Sequence, residues 1–366
     1  MNLAGRLLRR LFANLDGPLL GIVMIIIAGG LFTLYSATSD QPARFNAQLV
    51  NIAVGLAAMW VVAQVPPQTL MRLAFPLFLA GLVLLVLVAV RGEVVNGARR
   101  WLHVGFTRIQ PSEVMKIAMP LMLAWFFHRN EEGLRLREFA IASVVLLVPT
   151  WLIARQPDLG TAMLVAAAGC YVIFLAGLSW RVIALIGIAG TASLPLVWSM
   201  MHDYQRKRLL TLLDPSQDPL GAGYHTIQST IAVGSGGMLG KGWLNGTQTH
   251  LEFIPERHTD FIFAVFSEEF GLTGNMILVT LYIALITRGM VIASNAPTFF
   301  SRLLAGALVL VLFTYAFVNM GMVSGILPVV GVPLPFVSYG GTALVTLFVG
   351  IGILMSISKH RQLVQS

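Results

Sequence analysis

Apolar residues along this chain fall in long runs rather than in the narrow periodic stripes of a soluble fold. Ten runs stand out, at approximately 19–36, 45–65, 73–90, 112–127, 139–154, 159–177, 182–201, 261–287, 303–326 and 336–357. One bilayer crossing takes about 20 apolar residues of helix, so each run is a candidate span. The pattern predicts an all-α integral membrane protein with about ten transmembrane helices, a single polytopic membrane domain over 1–366. The fourth and fifth runs are short, and the eighth contains Glu268, Glu269, Gly271 and Gly274, which predicts a bend or break there.

Two segments outside the runs have a character of their own. Residues 1–17 carry Arg6, Arg9 and Arg10 among leucines and read as an amphipathic helix on the cytoplasmic surface. The run after it is long enough to span and shows no small-residue cleavage site, which argues against a cleaved signal peptide. Residues 202–260 form one large extracytoplasmic loop between spans seven and eight. With Tyr224, Ile227, Ile231, Trp243, Leu251 and Phe253, it is too apolar for disorder. It is expected to fold back on the membrane face through interfacial or re-entrant helices.

Composition sharpens the class. Hydrophobic residues make up 57% of the 366 and charged residues 11%, which excludes two ordinary soluble domains. The net charge of +8 comes from basic residues scattered through loops, so a membrane surface or an anionic lipid headgroup fits better than nucleic acid. The single cysteine, Cys170, forms no intrachain disulfide and is expected as a small core residue.

An even span count puts both termini on one side, the cytoplasmic one. Outside the long loop, the basic residues then divide twelve inside against six outside. Four of those six, Arg91, Arg99, Arg100 and Arg108, share one segment. Either these are ordinary loop charges, or something anionic is handled outside the membrane.

Five constellations have chemical content. The first is Gly97-Ala98-Arg99-Arg100-Trp101-Leu102 with Arg108-Ile109-Gln110-Pro111-Ser112-Glu113 and Lys116. Pro111 and Ser112 suggest a helix start, with Ser112 as the cap. Glu113 and Lys116 share a helical face, either as an ion pair holding helices together or as a polar floor with Lys116 open to an anionic substrate. The second, Arg155-Gln156-Pro157-Asp158-Leu159-Gly160-Thr161, suits a tight turn and a helix start. The third is a glycine tract from Gly221 to Gly246. It lacks the P-loop pattern, because Ser235 precedes Gly240 by five and Gly242 follows Lys241. Flexible turns and exposed backbone N–H groups both remain open for it.

The fourth, Glu252-Phe253-Ile254-Pro255-Glu256-Arg257-His258-Thr259-Asp260, packs ionisable groups where the chain re-enters the membrane. Asp260 is there either as the N-cap of span eight or as a partly desolvated carboxylate fit to accept a proton. The fifth, Pro333-Leu334-Pro335-Phe336-Val337-Ser338-Tyr339-Gly340-Gly341-Thr342, reads as a rigid loop packed against the outer cavity. No Asp-x-Asp, His-Glu-x-x-His or Gly-x-Ser-x-Gly motif occurs, and His225, His250 and His258 do not form a metal-ligand spacing.

Taken together, 97–102, 110–116, 156–161, 251–269 and 333–342 resemble the SEDS family (shape, elongation, division, sporulation) over nearly the whole chain. The wording of 251–271 is closer to the family's rod-shape branch than to its division branch. The resemblance implies a peptidoglycan glycosyltransferase that polymerises lipid II on undecaprenyl pyrophosphate at the outer face of the cytoplasmic (inner) membrane. It implies work with a class B penicillin-binding protein and the elongation machinery. It also implies that Asp260 is the essential aspartate, acting as general base. Substrate contacts are then expected from Arg100, Arg108, Glu113, Lys116, Arg208, Glu256 and His258. Mg²⁺ or Mn²⁺ is implied for the pyrophosphate, with no ligand set visible in the sequence. A lipid II flippase and a scaffold for a partner enzyme are the alternatives. A flippase needs charges along a midplane path, whereas a polymerase concentrates them at the outer surface.

Overall fold

A computed structural model describes residues 15–39, 41–95, 98–104, 107–201, 206, 210, 222–251, 253 and 256–360. Most of the expected amphipathic segment 1–17, and much of the first half of the loop 202–260, lie outside the described residues.

Among the described residues, ten long helices coincide with the ten apolar runs. They are α1 (Gly17–Ala37), α2 (Pro42–Gln64), α3 (Pro67–Arg91), α4 (Pro111–Arg129), α5 (Leu136–Ala154), α6 (Leu159–Leu175), α7 (Trp180–Met200), α9 (Ile262–Ser294), α10 (Phe299–Val323) and α11 (Thr342–His360). Between α7 and α9 lies α8 (Ala222–Ser235), followed by a helical turn, Thr247–His250. Seven of the long helices are long and apolar enough to cross a membrane, and α6 and α7 add shorter apolar stretches. α4 completes the set while carrying Glu113 and Lys116. Phe32, Val61, Leu147 and Phe317 are exposed on the outer surfaces, as helices facing lipid require.

α10 runs through the centre and packs against α4, α6, α9 and α11. Its buried Phe300, Leu304, Ala305, Val309, Tyr315 and Ala316 make most of its faces internal. At one end of the bundle, Asp16 caps α1 by accepting from the Leu19 N–H (3.1 Å). It also accepts two bonds from Arg288 of α9 (3.0 and 2.5 Å) and one from Ser358 of α11 (2.9 Å), so one carboxylate ties three helices.

The expected break in span eight is real. Gly271 has φ 63° and ψ −162°, a conformation open to glycine and closed to other residues. Breaking a helix orphans carbonyls before the break and N–H groups after it. The glycine tract supplies the missing partners. The N–H groups of Lys241 and Gly242 donate to the carbonyls of Glu268 and Glu269, both at 3.0 Å. The carbonyls of Gly237 and Met238 accept from Leu272 (2.9 Å) and Thr273 (3.0 Å). The tract is therefore a backbone splint for α9, a role distinct from both flexible turn and phosphate cradle.

Three expectations are corrected. The basic segment before α4 is not all loop: β1 (Glu93–Val95), β2 (Ala98–Val104) and β3 (Thr107–Ile109) form a small antiparallel sheet in the order β1-β2-β3. Gln110, not Ser112, is the residue flanking α4, since Pro111 fills the first helical position, and the Gln110 side chain makes no cap bond and turns to Asp158 instead. Cys170 is exposed, since α6 turns that face away from its packing partners.

The splint predicts a sharp glycine requirement. A Cβ at Gly271 would lie 2.3 Å from the Gly240 nitrogen, whereas one at Gly21 meets nothing within 4 Å. Gly271→Ala is expected to lower stability by about 2 kcal/mol or more, and Gly21→Ala to change it by less than about 0.5 kcal/mol. Thermal unfolding of the purified variants in detergent checks this, and equal midpoints would contradict it.

Candidate active site

The chain reaches the membrane after the long loop through a tight turn at 256–261. Glu256 adopts φ 49°, and its carbonyl accepts from the N–H of Thr259 (3.0 Å). The first residue flanking α9 is Phe261, and no side chain caps the helix. Asp260 is therefore not the cap of span eight, and its carboxylate is free for other work.

The backbone around Asp260 is held from three elements. Asn319 of α10, fully buried, donates from Nδ2 to the carbonyls of both Asp260 (2.8 Å) and Val332 (2.7 Å). Ser338 Oγ donates to the Thr259 carbonyl (2.7 Å) and accepts from the Leu334 N–H (2.7 Å). The Tyr339 N–H donates to the His258 carbonyl (2.8 Å). Gln48 of α2 in turn fixes that loop, donating to the Ser338 carbonyl (3.1 Å) and accepting from the Gly340 N–H (3.1 Å). The loop read as rigid thus clamps the segment that carries Asp260.

The Asp260 carboxylate receives no hydrogen bond and no ion pair among the described residues. Burial, reinforced by the negative charge of Glu256, pushes its pKa up to about 6. Glu256 is largely exposed, accepts from Thr259 Oγ1 (3.1 Å), and stands 3.9 Å from His258 Nε2. Arg44 of α2 meets the His258 ring, 3.1 Å from Nδ1.

Arg100 comes from β2. Its guanidinium donates to the carbonyls of Gln156 (3.3 Å) and Pro157 and stands 4.0 Å from the Asp158 carboxylate. Asp158 caps α6 through the Thr161 N–H (3.2 Å) and accepts from Gln110 Nε2 (3.0 Å). The same turn meets the loop before α11, because Gly160 leaves room for the Val330 carbonyl. Next along that loop, Gly331 faces Asp260: a Cβ there would lie 3.3 Å from Oδ2. Arg100 and Asp260 therefore flank one short loop at one end of the bundle.

Lys116 is in the ion-pair arrangement rather than the open one. It is enclosed, with Glu113 Oε1 at 2.6 Å and the Tyr315 hydroxyl at 2.7 Å. Glu113 also lines an apolar groove of ≈ 590 Å³ between α2, α3, α4 and α11, with Val54, Leu77, Gln110, Val345 and Val349 among its walls. Arg208 and the side chain of Arg108 lie outside the described residues.

A family model described as cell cycle protein, FtsW/RodA/SpoVE, matches residues 8–363. The chain belongs to the FtsW/RodA/SpoVE family. The peptidoglycan glycosyltransferase MrdB of Escherichia coli is 52% identical over 351 residues, covering 96% of this chain and 95% of that protein. The stage V sporulation protein E of Bacillus subtilis is 34% identical, covering 93% and 95%. A solved structure described as the structural coordination of polymerization and crosslinking by a peptidoglycan synthase complex contains a chain that is 36% identical. That chain superposes with TM-score 0.81, covering 95% of this chain and 98% of its own length. The rod shape determining protein RodA of Thermus thermophilus follows at TM-score 0.72 and 30% identity, covering 95% and 97%.

In this FtsW/RodA/SpoVE-family chain, the described residues offer no group of three or more His, Cys, Asp or Glu side chains able to share a cation. Among the described residues, His258 is engaged by Arg44 and no third acidic or histidine side chain joins Asp260 and Glu256, a donor set too small to hold Mg²⁺ or Mn²⁺ by itself. Sequence reasoning also missed Arg44, Gln48 and Asn319. Gln48 and Asn319 are polar residues inside apolar runs, and that cost of burial is the signal that could have found them, whereas Arg44 stands just before a run and gave no such signal.

The isolation of Asp260 predicts its titration. An infrared carboxyl band absent from Asp260→Asn should titrate near pH 6. In Glu256→Gln the band should titrate lower, because removing the neighbouring negative charge favours the ionised form. A band in the ordinary carboxylate range in both proteins would contradict the assignment.

Proposed function

We propose that this chain is a peptidoglycan glycosyltransferase that polymerises lipid II, with Asp260 as general base. The observation that carries the reading is a half-buried carboxylate, held by its backbone and free of donors, with its pKa raised to about 6. Such a group is ionised at neutral pH yet retains affinity for a proton, which is what a base for a sugar hydroxyl needs.

The acceptor's GlcNAc 4-hydroxyl attacks MurNAc C1 of the donor. The O4–C1 bond forms, the C1–O bond to phosphate breaks, and its electron pair leaves with undecaprenyl pyrophosphate. The hydroxyl proton goes to Asp260. An α-linked phosphate yielding a β-1,4 bond implies inversion by direct displacement, so one base suffices and no covalent intermediate forms. Charge developing on the leaving pyrophosphate calls for cations held in place beforehand. Arg100, on the far side of the loop through Gly331, is so held and about one-third exposed. Arg108 and Arg208 are the further cations proposed for this role. The apolar groove beside Glu113 suits a polyprenyl chain, with its polar wall at Gln110 leading toward Asp158 and Arg100.

The cluster is placed on the outer face of the cytoplasmic membrane with both termini inside, which the even helix count and the distribution of basic residues support. A class B penicillin-binding protein is the proposed partner, supported by the likeness to a chain of a complex that joins polymerization to crosslinking. A lipid II flippase is less well supported, because the charge pair within α4, Glu113 with Lys116, is closed upon itself and Tyr315.

Reconstitution of the purified chain with lipid II and its partner tests the reading. Asp260→Asn should lose glycan polymer by about 100-fold or more. Wild-type activity should fall as pH drops through about 6, where the base becomes protonated. Polymer at the wild-type rate from Asp260→Asn would overturn it, and lipid II movement without polymer from the wild type would favour the flippase.

A further inference from the structure

α8 brings a second titratable side chain to the turn that carries Asp260. The ring of His225 stacks on Phe261, the next residue after Asp260, with centroids 5.7 Å apart and planes at 23°. α8 is itself fastened to α10, since Ser229 Oγ donates to the Val323 carbonyl (3.0 Å). One turn earlier on α10, Asn319 holds the Asp260 carbonyl. His225 and Asp260 thus share one support.

The two nitrogens of His225 differ. Nδ1 is enclosed and has no hydrogen-bond partner among the described residues, which leaves Nε2 as the open nitrogen. A proton added to Nδ1 would put a charged N–H where nothing accepts it. Burial accordingly depresses the imidazole's proton affinity, with Glu256 opposing only in part. Both effects disfavour the charged ring, and the exposed position for the neutral ring's proton is Nε2. Glu256 acts electrostatically on both His225 and Asp260, and the stack on Phe261 sets the His225 ring against the residue that follows Asp260.

We propose that His225 is a further contact of the transfer site, an uncharged imidazole whose Nε2–H donates to a hydroxyl or amide oxygen of the acceptor sugar. The proposal rests on the glycosyl-transfer reading of Asp260. Its chemistry complements that base. A cation next to Asp260 would favour the ionised carboxylate and weaken it as a proton acceptor. A neutral donor orients a sugar without that effect, as a neutral imidazole polarises a substrate oxygen elsewhere in enzymology. The cations are held apart: Arg100 on the 156–158 turn and Arg44 on His258. A neutral sugar oxygen, rather than the pyrophosphate, is the partner that an uncharged donor suits.

The test is polymerisation of fluorescent lipid II at sub-saturating concentration by the full chain with its class B penicillin-binding protein. His225→Phe keeps a ring on Phe261 and removes the donor, and it should slow the reaction about tenfold. His225→Gln, whose amide reaches the Nε2 position, should stay within about threefold of the wild type. His225→Asn, whose amide reaches only the Nδ1 position, should fall with the Phe variant, and it decides the matter against Gln if the Phe variant does not fold. Wild-type rates from His225→Phe, or equal losses in Gln, Asn and Phe, would overturn the proposal. Asp260→Asn run alongside separates the two readings. Its activity would sink the transfer reading itself, whereas its inactivity with a wild-type His225→Phe would sink only the role of His225.

Discussion

Asn319 lies fully buried in the central helix and gives both protons of its amide to two carbonyls from distant parts of the chain, Asp260 and Val332. That fork is the constraint on which the site depends. It fixes Asp260 through its backbone and so leaves the side chain unbonded. Had the carboxylate been anchored instead by donors of its own, its proton affinity would drop and it would serve as a structural group. Ser338 and Tyr339 repeat the device on the two preceding residues, each engaging a carbonyl. Rigidity is supplied to the main chain and reactivity is kept for the side chain.

A second constraint lies behind the first. Charged loops must return to an apolar bundle without leaving backbone groups unpaired in lipid. The break at Gly271 and the glycine splint at 237–242 meet it together, and they also fix the direction in which the chain climbs toward Asp260. Glu268, fully buried, reinforces the arrangement: it binds Lys241 (2.7 Å) and the backbone of Gln248 (3.0 Å) and Thr249 (3.3 Å). Arg257, two residues before Thr259, donates to the Thr249 carbonyl (2.7 Å) and so connects that network to the turn of the site.

Much of the fold was legible because spans announce themselves by length and hydrophobicity, a signal that needs no tertiary context. The break in α9 was legible for a similar reason, since two glutamates and two glycines cannot sit quietly in such a run. Asp260 was legible as a boundary carboxylate, but whether it capped a helix or stood free depended on Asn319, 59 residues away, and on Ser338, 79 residues from its partner Thr259. The small sheet at 93–109 left little trace in the sequence because its strands are short and basic residues interrupt their alternation. The Asn96-Gly97 pair between Val95 and Ala98 was the hairpin signal available in the sequence. The partner of Lys116 was half legible: Glu113 follows from helical spacing, while Tyr315, 199 residues on, does not.

Catalysis by Asp260 requires the reacting sugar to meet the protein at that carboxylate. A structure of the chain bound to a lipid II analogue or a short glycan product measures this directly. The account predicts the acceptor's O4 within about 3 Å of an Asp260 carboxylate oxygen, with the prenyl chain in the groove between α2 and α11. Sugars bound at the Asp16–Arg288 end of the bundle, or an Asp260 carboxylate walled off from the bound substrate, would contradict it.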